Sequence, residues 1–394
     1  MTRMPRSALW PVLALGVTQI IGYGTLYYAY GVVVPRLSAD LGISVTMAVG
    51  AFSLALLISG LAAPLVGRQI DRRGARMMMA AGSVVAAAAL VALAFAQGTL
   101  TLGAALIAAE IASTLVLYDA AFAALAQAMG PARARRAITQ MTLIGGFAST
   151  IFWPATQMLA AQWGWRETYL AFAALHLLVC LPLHLSLPRA PLDLPAPAPG
   201  IAAPAAFAPL PPAQHSRAML WLAVGFSVAG LVGSAVAAQW VPALMALGLS
   251  EGAAVAAGAV MGPAQVGVRV LDMAFGLRLH PLTTAIISTG LMAAALALLA
   301  IAGPGTGAAV AFALLFGLAN GLTSITRGTV PLALFGAQGF AARLGTLAGL
   351  RMVSGAVAPF ALALSLGLWD ARLVLVGMLA LVLLAAAALW RVPR

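Results

Sequence analysis

Runs of about twenty apolar residues, broken only by short arginine-bearing connections, recur along almost the whole chain and leave it little choice of fold. Such a run crosses a bilayer as one helix, because backbone N–H and C=O groups in lipid must find partners within their own segment. Repetition of the pattern predicts an all-α integral membrane protein. About twelve segments can be drawn, near residues 8–34, 45–66, 77–97, 100–127, 138–162, 168–187, 218–246, 252–274, 281–302, 306–333, 343–367 and 370–390. Composition agrees. Of the 394 residues, 63% are hydrophobic and 8% charged, against about 45–50% apolar in soluble domains. Met1–Arg6 before an apolar run imitates a signal peptide. The run reaches about Val34, too long for a signal core, and reads as the first spanning helix.

The densest charge in this sparsely charged chain is the stretch Gly67-Arg68-Gln69-Ile70-Asp71-Arg72-Arg73-Gly74-Ala75-Arg76, between the second and third segments. A loop this short and this basic is expected on the cytoplasmic side. Gly67 would let another helix come close, and Gly74 would allow a tight reversal. Asp71 could accept hydrogen bonds from free N–H groups at a helix N-terminus while pairing with Arg72 or Arg76. The spacing is glycine, three residues, Asp-Arg, one residue, glycine, one residue, arginine. It closely resembles the loop between helices 2 and 3 of the major facilitator superfamily, with Gly67, Asp71, Arg72, Gly74 and Arg76 at the matching positions. Ala75 departs, since the family often has a basic residue there. The resemblance implies a bacterial 12-helix transporter, two six-helix halves around a central cavity, acting as a monomer in the inner membrane. It also implies that this loop latches the cytoplasmic side; the plainer alternative is a basic loop that only fixes topology.

With the N-terminus inside, fifteen arginines fall on cytoplasmic segments and three, Arg36, Arg166 and Arg372, on the opposite side. That asymmetry places both termini in the cytoplasm. Nine prolines among Pro188–Pro212 make residues 188–216 an extended, semi-rigid cytoplasmic linker. It divides six segments in 1–187 from six in 217–394. The halves echo each other. Tyr118-Asp119 to Pro154 and Thr326-Arg327 to Pro359 both run from a polar intramembrane residue through a glycine turn, an arginine and a glycine-rich helix to a proline. Parallel repeats of this kind suit a 6+6 architecture. In that fold the family places segments 1, 4, 7 and 10 around the cavity.

Ionisable residues within apolar runs are costly and are functional candidates by default. Here they are Glu110, Asp119, Arg269, Asp272, Arg327 and Arg351. At about 100° per residue, Asn320, Thr323, Ser324 and Arg327 share one face of the tenth segment. Glu110, Ser113, Thr114 and Tyr118 form a similar stripe on the fourth, with Asp119 about 180° from Glu110 and turned toward a helix contact. Glu110 is the first candidate for proton coupling and Asp119 the second; a structural ion pair is the alternative for each. Arg269 and Asp272 are three apart and can pair, near the cytoplasmic end of the eighth segment where snorkelling is easy. Arg351 lies about two turns into the eleventh. Basic residues on these two segments resemble the anion-binding pair of the oxalate–formate and monocarboxylate branches of the superfamily. Arg269 and Arg351 would then form a fork for a carboxylate. The alternative is a cytoplasmic gate in which Arg269, Asp272 and Asp71 exchange partners. On the first segment Gln19, Tyr23, Tyr27 and Tyr30 lie within about 80° of one another. Such a stripe suits stacking on, and hydrogen-bonding to, a small organic solute. An aromatic belt would account for Tyr30 but not for Tyr23.

Other functions lose support. All 21 basic residues are arginine, so neither a lysine Schiff base nor a Gly-x-x-x-x-Gly-Lys phosphate loop is available. Cys180, the single cysteine, allows no intrachain disulfide or thiolate metal cage. His176, His184, His215 and His280 are scattered and read as structural or solvated, so neither a metal nor another cofactor is expected. Arginines in short loops, rather than on a soluble basic face, predict no nucleic-acid partner. A polytopic enzyme would need a convergent catalytic group that the sequence does not offer. The fifth segment lacks the Gly-Pro-x-x-Gly-Gly pattern of many drug–proton antiporters, since Pro154 follows Gly146 by eight residues. The expected function is secondary active, proton-coupled transport of a small organic solute by alternating access, a carboxylate being one candidate. The alternative is proton-driven efflux of an amphipathic or cationic compound, with Glu110 pairing with the cation.

Overall fold

The computed structural model describes residues 6–193, 207–275, 279–303 and 305–393. Among these the chain is helical, with no strand. It runs α1 (Arg6–Gly22), a π-helical turn (Tyr23–Tyr28), α2 (Ala29–Leu41), α3 (Val45–Arg73), α4 (Ala75–Ala94), α5 (Thr99–Val116), α6 (Tyr118–Gly145), α7 (Ala148–Gln162) and α8 (Trp165–Leu175). A second π turn (His176–Cys180) leads to α9 (Leu181–Leu185). Then come α10 (His215–Ala246), α11 (Glu251–Gly258), α12 (Met261–Phe275), α13 (Pro281–Ala302), α14 (Thr306–Phe335), α15 (Phe340–Leu368) and α16 (Ala371–Trp390). Eleven helical spans among the described residues are long and apolar enough to cross a membrane. One of them, Thr99–Gln162, has 64 residues and breaks at Gly130, where φ is 72°. That is chain enough for two crossings at about twenty residues each, which accounts for the expected twelve.

The boundaries differ from expectation in instructive ways. The first span continues to Leu41, carrying Arg36 and Asp40 inside its last turns. Helix α3 runs through Arg73, so most of the charged stretch is helix rather than loop. At 29 residues it is about 44 Å long, longer than an apolar core of about 30 Å, which leaves length enough for its charged end to lie outside the lipid tails. Only Gly74, with φ 84° and ψ 139°, separates α3 from α4. The fourth expected segment breaks at Leu117, whose ψ of −168° is extended. Its counterpart, α14, is continuous over 30 residues, so the two repeats diverge at this point. Residues 194–206 of the expected linker, together with Arg3, Arg278 and Arg394 of the charge count, lie outside the described residues.

Contacts gather the chain into two compact units. One holds Met1–Ala206 and Ala337–Gly349, the other Phe207–Gly336 and Leu350–Arg394. In the first, Leu90, Leu93, Leu102, Phe152, Tyr169 and Phe172 belong to a buried apolar cluster. Its margin is tied by Arg166, which pairs with Asp40 and donates from Nη2 to Ala96 O at 3.0 Å. Trp165 Nε1 donates to the same Asp40 carboxylate at 3.2 Å. In the second unit Trp240, Phe312 and Phe316 stack in series, with centroids 4.9 and 5.2 Å apart. Helices in lipid are held by close packing more than by a hydrophobic force, and glycine provides it. A Cβ on Gly317 would stand 2.6 Å from Met261 O, and one on Gly321 would strike Val268. Backbones of α12 and α14 therefore touch.

Candidate functional site

The charged end of α3 organises the first unit. Helix α15 starts at Phe340, after Gly339, which has no side chain with which to cap it. The free N–H groups of its first turn need an acceptor from elsewhere. Asp71 supplies it: Oδ1 accepts from Ala341 N–H at 3.1 Å and Oδ2 from Ala342 N–H at 2.8 Å. Both helices are stripped of side chains where they meet. A Cβ on Gly67 would overlap the Ala341 carbonyl, one on Gly345 that of Ala63, and one on Gly349 that of Gly60. This seam explains why Ala337–Gly349 belongs with the first unit. The expected pairing of Asp71 with Arg72 or Arg76 does not occur. Arg72 is exposed at the end of α3, where its charge complements the helix dipole. Arg76 Nε donates to Leu185 O at 2.9 Å, capping α9. Gln127, which the sequence reading passed over, bridges the reversal at Gly74: Oε1 accepts from Ala75 N–H at 2.9 Å and Nε2 reaches Ile70 O at 3.5 Å. Gln127→Ala should cost about 1 kcal/mol, seen as a modest fall in unfolding temperature with the fold intact.

The tyrosines of the first span meet, though not as a stripe on an α-helix. Tyr23, Tyr27 and Tyr28 form a triangle with centroids 6.4, 6.4 and 5.3 Å apart. Tyr118 lies 4.6 Å from Tyr23, and Trp153 lies 6.0 Å from Tyr28. Tyr30 leaves the group, stacking on Phe52 at 5.0 Å and donating to Ala48 O at 2.7 Å. The π turn between Tyr23 and Tyr28 is the cause, since it changes the register on which the expected stripe rested. Gln19 also has another task. It is fully buried, and its Nε2 donates at 2.8 Å to Val116 O, one of the carbonyls left free where α5 ends. Through Nε2 this side chain stabilises the break, while its buried Oε1 has no hydrogen-bond partner among the described residues.

That break undoes the helical wheel drawn through Glu110 and Asp119. Leu117 separates them, so their angular relation on one continuous helix has no meaning, and Tyr118 joins the tyrosines instead. Glu110 is 3% exposed, and among the described residues its carboxyl enters no hydrogen bond or ion pair. Asp119 is half-buried and engaged with neighbours. The unpartnered one is Glu110.

In the second unit Arg269 and Asp272 are 5% and 8% exposed. They are sequestered rather than snorkelling outward. Asp272 continues the face of Met261, Gln265 and Val268 that packs on α14. Arg351 is half-buried with its stem across α10, since a Cβ on Gly230 would stand 2.6 Å from its Cγ. Asn320 faces the same helix, 3.7 Å from where a Cβ of Gly233 would lie. Arg327 is half-buried. Thr323, expected in a polar stripe, is drawn to α13 instead, with its hydroxyl 2.7 Å from that of Ser288.

Comparison with known proteins decides the family. The family model described as Major Facilitator Superfamily matches residues 16–360. The chain belongs to that superfamily. Solved structures agree on the fold. The human organic anion transporter MFSD10 (TETRAN) aligns with a TM-score of 0.73 at 17% identity, over 98% of this chain and 100% of its own. The proton:xylose symporter XylE, bound to 6-bromo-6-deoxy-D-glucose, gives 0.73 at 13%, over 98% and 96%. FucP in the outward conformation gives 0.72 at 15%, over 99% and 100%. No curated protein matches the chain.

As a multi-pass membrane transporter of the Major Facilitator Superfamily, the protein keeps buried polar groups in its spans. Of the two expectations for His176 and His184, structural or solvated, the structural one fits: both are buried and bonded at 2.8 Å to Thr25 and Ser83. The sequence reasoning missed two residues of the aromatic group, Tyr28 and Trp153. No local pattern announces a π turn, so the signal for Tyr28 was absent from helical periodicity.

Proposed function

We propose that the protein moves a small organic solute by alternating access, coupled to protons, as a monomer in a bacterial cytoplasmic membrane with both termini inside. Its halves would be residues 1–187 and 217–394, joined by the 188–216 linker. The carrying observation is Glu110, a buried carboxyl without a partner among the described residues, in a chain with few charges. A charge buried alone costs several kcal/mol, so a group placed there serves best if it takes up and releases a proton. The arginines of the second unit support a carboxylate as solute. Arg351 and Arg269 would hold it bidentately, with Arg327 and Asn320 on α14 of the same unit. In the first unit, taken by itself, Tyr23 and Tyr27 are the candidates for contact with an organic group. Asp71, with Gly67, Gly74, Arg72 and Arg76 around it, would gate the cytoplasmic side, and Asp272 would restrain Arg269. The superfamily fold serves both an organic anion transporter and a proton symporter among the structures it resembles; identities this low carry no solute from one to the other.

A second reading, efflux of an amphipathic cation, draws on the tyrosines, whose ring faces attract cations. Purified protein in liposomes loaded with a pH dye separates the two. Carboxylates should acidify the lumen beyond protein-free leakage. Dissipation of an acidic lumen by lipophilic cations alone would favour efflux and leave the arginines without a solute. Arg351→Ala should raise the half-saturation concentration for a transported carboxylate about tenfold or more, the loss of a charge-assisted pair, and leave cations unaffected. Unchanged carboxylate transport by this variant would remove the fork.

A further inference from the structure

The first unit contains two π turns. Each is closed by an i→i+5 bond, Ala29 N–H to Gly24 O in one and Leu181 N–H to His176 O in the other. One buried hydrogen bond joins them: Thr25 Oγ1 lies 2.8 Å from His176 Nε2. The Thr25 hydroxyl also donates to Ile21 O at 2.8 Å. If that proton stays on Ile21 O, the hydroxyl accepts from His176 Nε2; in the other tautomer it donates to Nε2, and in both the bond joins the two turns. Nδ1 of that ring is buried and has no hydrogen-bond partner. The polar contact of this histidine is thus directed at the other π turn.

That turn determines where three phenols stand. In an α-helix, at about 100° per residue, Tyr27 falls about 40° from Tyr23 and Tyr28 about 140° away. A π turn advances about 80° per residue, which sets Tyr27 and Tyr28 about 40° to either side of Tyr23. The near-equal distances of 6.4 Å from Tyr23 to each ring agree with the second geometry. A π turn is rare and persists where its surroundings hold it. Gly24 is held by Phe152, whose ring occupies the place of a Cβ. Thr25, the next residue, is held by His176.

We propose that His176 is a positioning residue: through Thr25 it holds the π turn and so spaces Tyr23, Tyr27 and Tyr28 to select a flat aromatic group on the solute. Interplanar angles of 77° between Tyr23 and Tyr27, and 79° between Tyr27 and Tyr28, offer a planar ring both faces and edges, the two contacts that aromatic groups favour. The selectivity rests on the reading that these tyrosines meet the solute; the positioning does not.

The test uses the full chain in nanodiscs, labelled with 3-fluorotyrosine at its six tyrosines and assigned by single Tyr→Phe changes. In His176→Phe and in Thr25→Val, the fluorine signals of Tyr23, Tyr27 and Tyr28 should move by more than a linewidth while Tyr169 stays in place. His176→Gln, which keeps a donor, should restore them. Unmoved signals overturn the proposal, and so does a Tyr169 shift as large as the other three, which would mark general loss of packing. Benzoate and cyclohexanecarboxylate then probe selection. Benzoate should perturb the three signals at least tenfold more tightly in the native protein, and His176→Phe should erase that ratio. If the variants shift the signals yet neither acid does, positioning stands, while aromatic selection and the solute-contact reading both fall.

Discussion

Asp71→Ala should free the amides of Ala341 and Ala342 and lower transport by about two orders of magnitude. The native carboxylate gives one oxygen to each N–H, at 3.1 and 2.8 Å. Hydrogen bonds to a charged group contribute about 1.5–3 kcal/mol each, and Gly339 has no side chain to take over. Losing both disfavours the docked start of α15 by about 3 kcal/mol, a factor of about 10² in its docking constant. Asp71→Asn should fall between, since its amide keeps one acceptor and turns an NH₂ toward the other donor. Arg72→Ala should matter far less, because Arg72 is exposed and does not pair with Asp71. Hydrogen exchange over residues 340–349 reads the cap directly. At least tenfold faster exchange in Asp71→Ala is the expected result. Native protection together with native transport would show that the glycine seam alone holds these helices.

How far the sequence foretells this arrangement depends on the range of the interaction. Gly67 and Asp71 were legible because a glycine spaced one turn from an acid, at the end of an apolar run, has few other uses. What they touch was not legible, since Ala341 and Ala342 lie 270 residues away and alanine carries no signal. Helical periodicity placed Tyr23 and Tyr27 on one face and failed at Tyr30 and Tyr28, where the helix changes pitch. It failed again between Glu110 and Asp119 because Leu117 is extended, a feature that no glycine or proline announces there. Gln19 and Thr323 show a third limit. Their polarity drew them into a solute site; the structure adds partners the sequence could not show, Val116 O for Gln19 Nε2 and Ser288 for the Thr323 hydroxyl, and leaves Gln19 Oε1 without one among the described residues. Polar side chains in a membrane also serve as hydrogen-bonding glue between helices.

Among the described residues Glu110 has no such competing use, and Glu110→Gln carries the other large expected effect. Glutamine keeps the shape and removes the exchangeable proton. A carboxylate shut away without a counter-ion opposes conformational change until it is neutralised by a proton or by solute. A permanently neutral side chain lifts that restriction and gives the proton no carrier. Gradient-driven accumulation should therefore fall at least about 100-fold, the scale of about 3 kcal/mol of coupling. Exchange of labelled for unlabelled solute needs no net proton movement and should change less than about threefold. Asp119→Asn should not reproduce this split, because Asp119 is half-buried and, unlike Glu110, already engaged with neighbours. Both activities are measured in the same proteoliposomes. Equal loss of accumulation and exchange would make Glu110 a packing residue, and native accumulation would move the proton elsewhere.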